Sequence, residues 1–377
     1  MNAPPPVSIG LPVYNGEAYL AQTLRDWLGQ TFADFELIVC DNASTDATPD
    51  LLADAARRDP RVVVHRNTEN VGALANANLA FERSRGPRYV LSAYDDRHAS
   101  DFLARLVPAL DADPGAVVAY GRKTLIGADD APFAWHPDAR LYTDADGATY
   151  DYDSRLERPM PDGRIARFRA VLRANDINAT IHGLFRRDAL ERAGHHYVHG
   201  SDRLIVAHTA LLGRFAFVDA PLFGYRIHPA STFHLTRAAW MLREAGRAGA
   251  ASALDGLHTL RRYAAATGRA DLPLPDRLAA LVAVGGYAVR PHVLRNAFLP
   301  GPDNFWGWTH WPGQSPPMPR APRGATAPAA EWAWLAAPDP ASTAMHEEGA
   351  SEEGRSGNRR REVSRSPAAH SPFRMPS

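Results

Sequence analysis

The chain has 377 residues, sets 42 basic side chains against 42 acidic ones, and is 45% hydrophobic. That length holds one large domain with additions, or two domains each with its own core, while a formal net charge of zero excludes the uniform positive field of a nucleic-acid binder. A single cysteine, Cys40, excludes an internal disulfide and fits a reducing compartment, and no window reaches the roughly 18 apolar residues that a spanning helix needs.

The first residues, "MNAPPPVSIGLPVYNG", lack a basic segment followed by an apolar stretch, so no signal peptide is expected and the cytoplasm is the expected compartment. Nearly all basic residues are arginines. Lys123, the one lysine, reads as a consequence of that bias.

Residues 7 to 120 alternate short apolar runs with helical patterns, the signature of a parallel sheet with crossover helices. "VSIGLPV" predicts the first strand; Leu20, Leu24, Trp27 and Leu28 then recur at helical spacing. "FELIVC" predicts the second strand, with Leu51, Leu52 and Ala55 marking a helix after it. "RVVVH" predicts the third, and Leu74, Ala77, Asn78 and Phe81 share one face of the next helix. "YVLSA" predicts the fourth strand, ahead of a helix capped by Ser100 whose stripe is Leu103, Leu106, Val107 and Leu110. "AVVAY" predicts the fifth.

From 121 to 165 the pattern is irregular and rich in Asp and aromatics, and long loops around a site are expected. A helix is predicted over 164–173, a strand for "NATIHGLF", a short helix ending at Gly194 for "DALERAG", and a helix from Ser201 to Gly213. "RFAFVDA" and "LFGYRIHP" predict two further strands, and 235–297 reads as helical. Beyond residue 300 the chain is Pro-rich and then polar without period, a composition that predicts disorder. Trp306, Trp308 and Trp311 resist that label and are expected to pack back onto the body, with a membrane-interface contact as the second reading.

In open sheets of this kind ligands bind beyond the carboxyl ends of the strands. Three polar clusters fall there: "YNG" at 14–16, "DNASTD" at 41–46 and "YDD" at 94–96. Adjacent carboxylates such as Asp95 and Asp96 repel, and an isolated pair is more often a turn than a site. Set among the other two clusters, they describe a nucleotide site completed by a divalent cation, which takes carboxylate oxygens together with substrate phosphates.

These stretches, "VSIGLPVYNGEAYLAQTLRDWLGQTFADFELIVCDNASTDATPDLL", "ENVGALANANLAF", the acidic pair and "GSDRLIVAHTALLGRFAFVDAPLFGYRIHPAST", resemble a family 2 glycosyltransferase of GT-A fold across most of residues 7 to 232. The resemblance implies an α/β GT-A domain over 1–232, with a mostly parallel Rossmann-like sheet flanked by helices, a nucleotide-sugar half at 1–120 and an acceptor and catalytic half at 121–232. A helical extension over 233–300 and a disordered tail over 301–377 complete the expected organisation.

It further implies that Pro12, Val13, Tyr14 and Asn15 line base and ribose, that Asp41 and Asn42 lie against the base, and that Asp95 serves the ribose or metal shell. Asp96 and His228 would hold Mn²⁺ or Mg²⁺, Arg226 would face the diphosphate, and Asp202 would be the catalytic base. His182, Gly183 and Phe185 would border the acceptor pocket, while His195, His196 and His199 read as solvated loop histidines. Two positions depart from the family pattern: Asn42 stands where many relatives carry an acid, and Tyr94 stands where the acidic motif has its first Asp.

The implied activity is metal-dependent, inverting transfer from a nucleotide diphosphate sugar to a hydroxyl on a glycan, lipid-linked or small-molecule acceptor, in surface polysaccharide or glycolipid synthesis. Peripheral contact with the inner face of a membrane is a further expectation. Two alternatives stay open: a nucleotidyltransferase, disfavoured by the absence of a Gly-rich phosphate loop, and a binding-only relic of the fold, raised by Asn42 and Tyr94.

Overall fold

The first apolar run forms strand β1 (Ser8–Val13), and the run after it forms β2 (Glu36–Asp41), with helix α1 (Leu20–Leu28) between them. Nearly every residue of both strands is buried on both faces, as a parallel sheet covered by helices requires. Gly10 is demanded by its neighbour: a Cβ there would lie 2.0 Å from the Tyr89 hydroxyl, whose ring crosses the strand. The computed structural model describes residues 3–136, 141–151, 156–174, 176–194, 201–228 and 255–289. All of them belong to one compact unit within residues 1–324.

Helix α2 (Thr48–Arg58), β3 (Val62–Arg66), α3 (Ala73–Arg83) and β4 (Arg88–Leu91) continue the alternation. A two-residue strand, β5 (Arg97–His98), precedes α4 (Phe102–Asp111). Ser100 does not cap α4. Asp101 takes the N-cap position, makes no capping bond, and turns its carboxylate to Arg105 one turn along.

The predicted fifth strand runs further than its apolar core. It becomes β6 (Ala116–Ile126), because its parallel pairing with a later strand continues to Ile126. The segment expected as loops folds instead as a meander of β7 (Ala134–His136), β8 (Leu141–Thr143) and β9 (Thr149–Asp151). Helix α5 (Arg164–Arg173) follows as predicted.

"NATIHGLF" is not one strand. Asp176 accepts the Asn178 N–H at 2.8 Å and starts the single turn α6 (Asn178–Ile181), and only Leu184–Arg186 is extended, as β10. Helix α7 (Arg187–Ala193) ends at Gly194, whose φ of 71° is the left-handed closure glycine supplies freely. Helix α8 (Ser201–Leu212) leads into β11 (Arg214–Arg226), which joins the two predicted strands across register shifts around Pro221. Helices α9 (Asp255–Arg269) and α10 (Leu274–Ala288) fall within the span expected as a helical extension, of which residues 233–254 and 290–300 lie outside the described residues. The Trp-rich segment and the tail lie outside the described residues.

The main sheet has the order β3-β2-β1-β4-β10-β6-β11-β5. Strands β3, β2, β1 and β4 are parallel, β10 is antiparallel to both its neighbours, and β6 and β11 are parallel again. The α/β expectation therefore holds. The chain order reverses between β1 and β4, and the crevice beyond their carboxyl ends is the place such sheets bind ligands. Among the described residues no helix is long and apolar enough to cross a membrane.

Candidate active site

The loops leaving β1 and β2 are stitched together at the crevice. Asn15, with φ of 50°, accepts the Thr45 N–H at 2.9 Å through Oδ1 and donates its own N–H to Ser44 Oγ at 2.9 Å. Gly16 N–H reaches Thr48 Oγ1 at 2.8 Å. Tyr14 is 40% exposed beside them, whereas Val13 is a core residue and offers the crevice only its backbone.

Asp41 is buried at the end of β2. Its Oδ1 accepts the Ser44 N–H at 3.0 Å, and its Oδ2, 3.4 Å from Arg66 Nε, makes no hydrogen bond. Asn42 departs from the expected contact with a base. Its Oδ1 accepts from Asn67 and from the Val71 N–H, and its Nδ2 donates to Asn70 Oδ1 at 2.8 Å. An aspartate has no proton for that last bond, so the loop at 67–71 explains the amide.

The two aspartates after β4 face different surroundings. Asp95 keeps part of its side chain in solvent and sets Oδ2 3.0 Å from His228 Nε2. Asp96 is 2% exposed, and its Oδ1 accepts the Arg226 N–H at 2.9 Å. Burial and the neighbouring Asp95 push the Asp96 carboxyl well above the usual carboxylate range, with Arg226 and Lys123 opposing. Tyr94 turns into the core: its ring lies against Gly16 and it packs with the apolar cluster under β1.

Arg226, expected to face a diphosphate, points inward. Its Nε donates to the Asp95 carbonyl at 2.6 Å, Nη1 to the Gly127 carbonyl at 2.9 Å, and Nη2 pairs with Asp130. A buried guanidinium costs too much to leave unpaired, so these partners hold it there. Asp130 also pairs with Arg97, which pairs with Asp26 of α1. The acidic turn is thus held to β11 by the Arg226 side chain and backbone N–H.

A second face of the site is built on β6 and β11. In their register Phe223 opposes Lys123 and Tyr225 opposes Leu125, so these side chains share one face. Lys123, 3% exposed, pairs with Asp176, and its Nζ lies 5.4 Å from the centre of the Tyr225 ring. Breaking a buried pair of this kind by removing one partner costs about 3–5 kcal/mol. Burial and the negative charges of Asp96, Asp95 and Asp202 all raise the Tyr225 phenol, while Asn178 lies against it and lowers it. His182 donates to or accepts from nothing in the crevice: its Nδ1 is 2.8 Å from the Leu91 carbonyl and its ring stacks on Phe223 at 5.0 Å. Gly183 and Phe185 are buried beside it.

Asp202 opens α8. It is exposed at the start of the helix, and desolvation by the protein around it pushes its carboxyl up to about 6 against the pull of Arg203. His195, His196 and His199 lie outside the described residues. The sequence reading missed Lys123, Asp176, Asn178, Tyr225 and Asp130. The lone lysine in an arginine-rich chain was the one visible signal.

A divalent cation is the group such a site would take. Among the described residues no three His, Cys, Asp or Glu side chains are grouped to hold one. Asp95 and His228 supply an oxygen and a nitrogen on one side of the crevice, which suits a cation that draws its remaining ligands from substrate phosphates and water.

Residues 8–193 match the model of the family described as Glycosyl transferase family 2. A Bacillus subtilis glycosyltransferase named for teichuronic acid biosynthesis, TuaG, is 30% identical over 147 residues, 38% of this chain and 58% of that one. An uncharacterized Haemophilus influenzae glycosyltransferase is 34% identical over 101 residues, 27% of this chain and 40% of that one. The chain thus spans less than two thirds of these relatives. Among solved structures, S. aureus TarS 1-349 in complex with UDP-GlcNAc superposes with a TM-score of 0.55 at 16% identity, covering 75% of this chain and 72% of that chain. The likeness extends the GT-A fold across the described core. Asp202, Arg226 and His228 lie beyond the family-matched span.

Proposed function

We propose that this chain, a member of glycosyl transferase family 2 through residues 8–193, transfers a sugar from a nucleoside diphosphate sugar to an acceptor hydroxyl. The observation that carries the reading is the meeting of the acidic turn with the end of β11, where the Arg226 N–H donates to Asp96 Oδ1 at 2.9 Å and His228 Nε2 stands 3.0 Å from Asp95 Oδ2. The nucleoside takes the crevice between the β1 and β2 loops, with Tyr14 and Asn15 beside it and the unbonded oxygen of Asp41 as acceptor for a base N–H.

The roles expected for the two aspartates change places in this proposal. Asp95, partly in solvent and paired with His228, holds the cation with that histidine, while Asp96 secures β11 from beneath through the Arg226 N–H. A bound Mn²⁺ or Mg²⁺ would offset charge developing on the leaving diphosphate. Asp202 takes the acceptor proton as the acceptor oxygen forms its bond to the anomeric carbon. The bond from that carbon to the phosphate oxygen breaks on the opposite face, the nucleoside diphosphate leaves with the electron pair, and the configuration inverts. A carboxyl near 6 suits a base working at neutral pH, ionised and still basic enough to accept the proton.

The two departures that raised a binding-only alternative have structural reasons: Asn42 ties down the loop at 67–71, and Tyr94 fills the space under Gly16. The acceptor class we propose is a surface polysaccharide, in keeping with the relative named for teichuronic acid biosynthesis. A thermal-shift series with nucleoside diphosphate sugars, with and without Mn²⁺, tests the donor site. A donor present at 100 times its Kd stabilises by about 2.7 kcal/mol, which raises the unfolding temperature. A flat response to every base and sugar contradicts the reading.

A further inference from the structure

Helix α10 buries Ala280, Val284 and Tyr287 against the body and turns a different stripe outward. Leu274, Leu278, Leu281, Val282 and, just past the helix end, Val289 are 39% to 69% exposed, and they recur at the spacing of one helix face. Pro275, Gly285 and Gly286 fill the other exposed positions, so no charged or hydrogen-bonding side chain interrupts the stripe. Single exposed apolar residues are ordinary on a protein surface; five on one helix face mark a contact.

What borders the stripe carries one sign of charge. Helix α10 packs against both α5 and α9, and the rings of Tyr263 and Tyr287 meet 5.8 Å apart in the core, which leaves the opposite faces of α9 and α10 outward. Helix α5 exposes Arg164, Arg169 and Arg173, and α9 exposes Arg261, Arg262 and Arg269. Among the described side chains of these three helices and of the turn joining α9 to α10, the acids are Asp276, 3.7 Å from Arg164, and Asp271. An apolar stripe is thus bordered by a marked excess of arginine.

We propose that this face of α5, α9 and α10 docks on a lipid bilayer carrying anionic headgroups, with the α10 stripe entering the boundary of the acyl chains and the arginines on the phosphates. A second copy of the chain fits the face less well. A helix of 15 residues is about 22 Å long and about 10 Å wide, so its outer face falls far short of the roughly 800 Å² per partner that a stable dimer takes. A bilayer sets no such minimum. Too short to cross one, α10 lies in its plane, the pose of an apolar helix face flanked by basic residues. None of these residues belongs to the crevice, so docking is independent of the sugar-transfer reading.

The test is co-sedimentation of the full chain with two kinds of vesicle, pure phosphatidylcholine and roughly two parts phosphatidylcholine to one of phosphatidylglycerol. Wild type should bind the mixed vesicles about tenfold more strongly or better, and high salt should shrink that difference. Leu278→Gln combined with Val282→Gln alters only exposed side chains and should weaken binding to the mixed vesicles about tenfold. Arg169→Gln combined with Arg261→Gln should cost about fivefold per arginine on the mixed vesicles and leave binding to phosphatidylcholine unchanged.

A wild type that binds neither vesicle, or both equally, overturns the inference. So does a Leu278→Gln, Val282→Gln variant that binds as wild type does. Light scattering and unfolding midpoints without lipid distinguish the other occupants. A dimer that this variant splits shows a second copy on the stripe, and a midpoint that it lowers by several degrees shows the chain covering its own stripe; either result overturns docking on lipid.

Discussion

At the scale of single residues, the site separates charges by how much water each keeps. Asp96 is sealed under β11, Asp95 keeps one edge in solvent, and Asp202 is exposed at the start of α8. The pH behaviour follows from Asp202. Its carboxyl is raised to about 6, so below that pH it is protonated and cannot accept a proton, and above it the base is ready. The kcat/KM profile for donor turnover should therefore rise through about pH 6 and level off above it. A profile already level at pH 4.5 would remove Asp202 from the role. Part of this scale was legible in the sequence: Asp41 stands buried at the end of β2, and Asp95 and His228 meet at 3.0 Å. Arg226 and Asn42 were misjudged, because whether a polar side chain faces a ligand or a neighbouring loop depends on partners 25 to 131 positions away.

At the scale of elements, the differences fall where a segment is short or where strand pairing carries it past its apolar run. "NATIHGLF" has a strand's composition, yet the Asp176 carboxylate accepts the Asn178 N–H at its start, and only Leu184 and Phe185 of it pair with β4 and β6. Strand β11 was divided at Pro221, where the sheet absorbs the irregularity by shifting register. Helix α8 was legible from end to end, and what holds it was not. His208, buried on α8, sets Nδ1 2.8 Å from the Ala193 carbonyl at the end of α7, and Arg269 of α9 adds to the burial that pushes its pKa down to about 4.

The sign of the consequence is fixed by that depression. The unfolded chain binds the proton near pH 6.5 and the folded chain only near 4, so the stability from keeping His208 neutral is whole above 6.5 and declines as pH falls toward 4. The slope is at most about 1.4 kcal/mol per pH unit. Urea midpoints at pH 7.5 and pH 5 should fall further apart for wild type than for His208→Gln. Equal differences would show that the imidazole contributes nothing to the acid sensitivity.

At the scale of the whole molecule, one sheet organises everything. Its parallel strands and crossover helices were readable from alternating apolar runs, because burial on both faces leaves an unbroken hydrophobic signature. The insertion of antiparallel β10 between β4 and β6 was not readable, since no local pattern encodes which distant edge a three-residue strand joins. That insertion matters for function. It carries α6 and Asn178 to the carboxyl side of the sheet, opposite the β1 and β2 loops, so the crevice has a nucleotide wall and a second wall on β6 and β11.

In the proposed function the crevice binds a nucleoside diphosphate sugar and Asp202 drives its transfer. Release of nucleoside diphosphate from the bound donor, measured beside donor affinity in wild type and Asp202→Asn, tests both halves together. The variant should keep its donor affinity while release slows about 10²- to 10⁴-fold, the usual worth of a general base. Release at a wild-type rate in the variant, or a wild type that binds no donor, would contradict it.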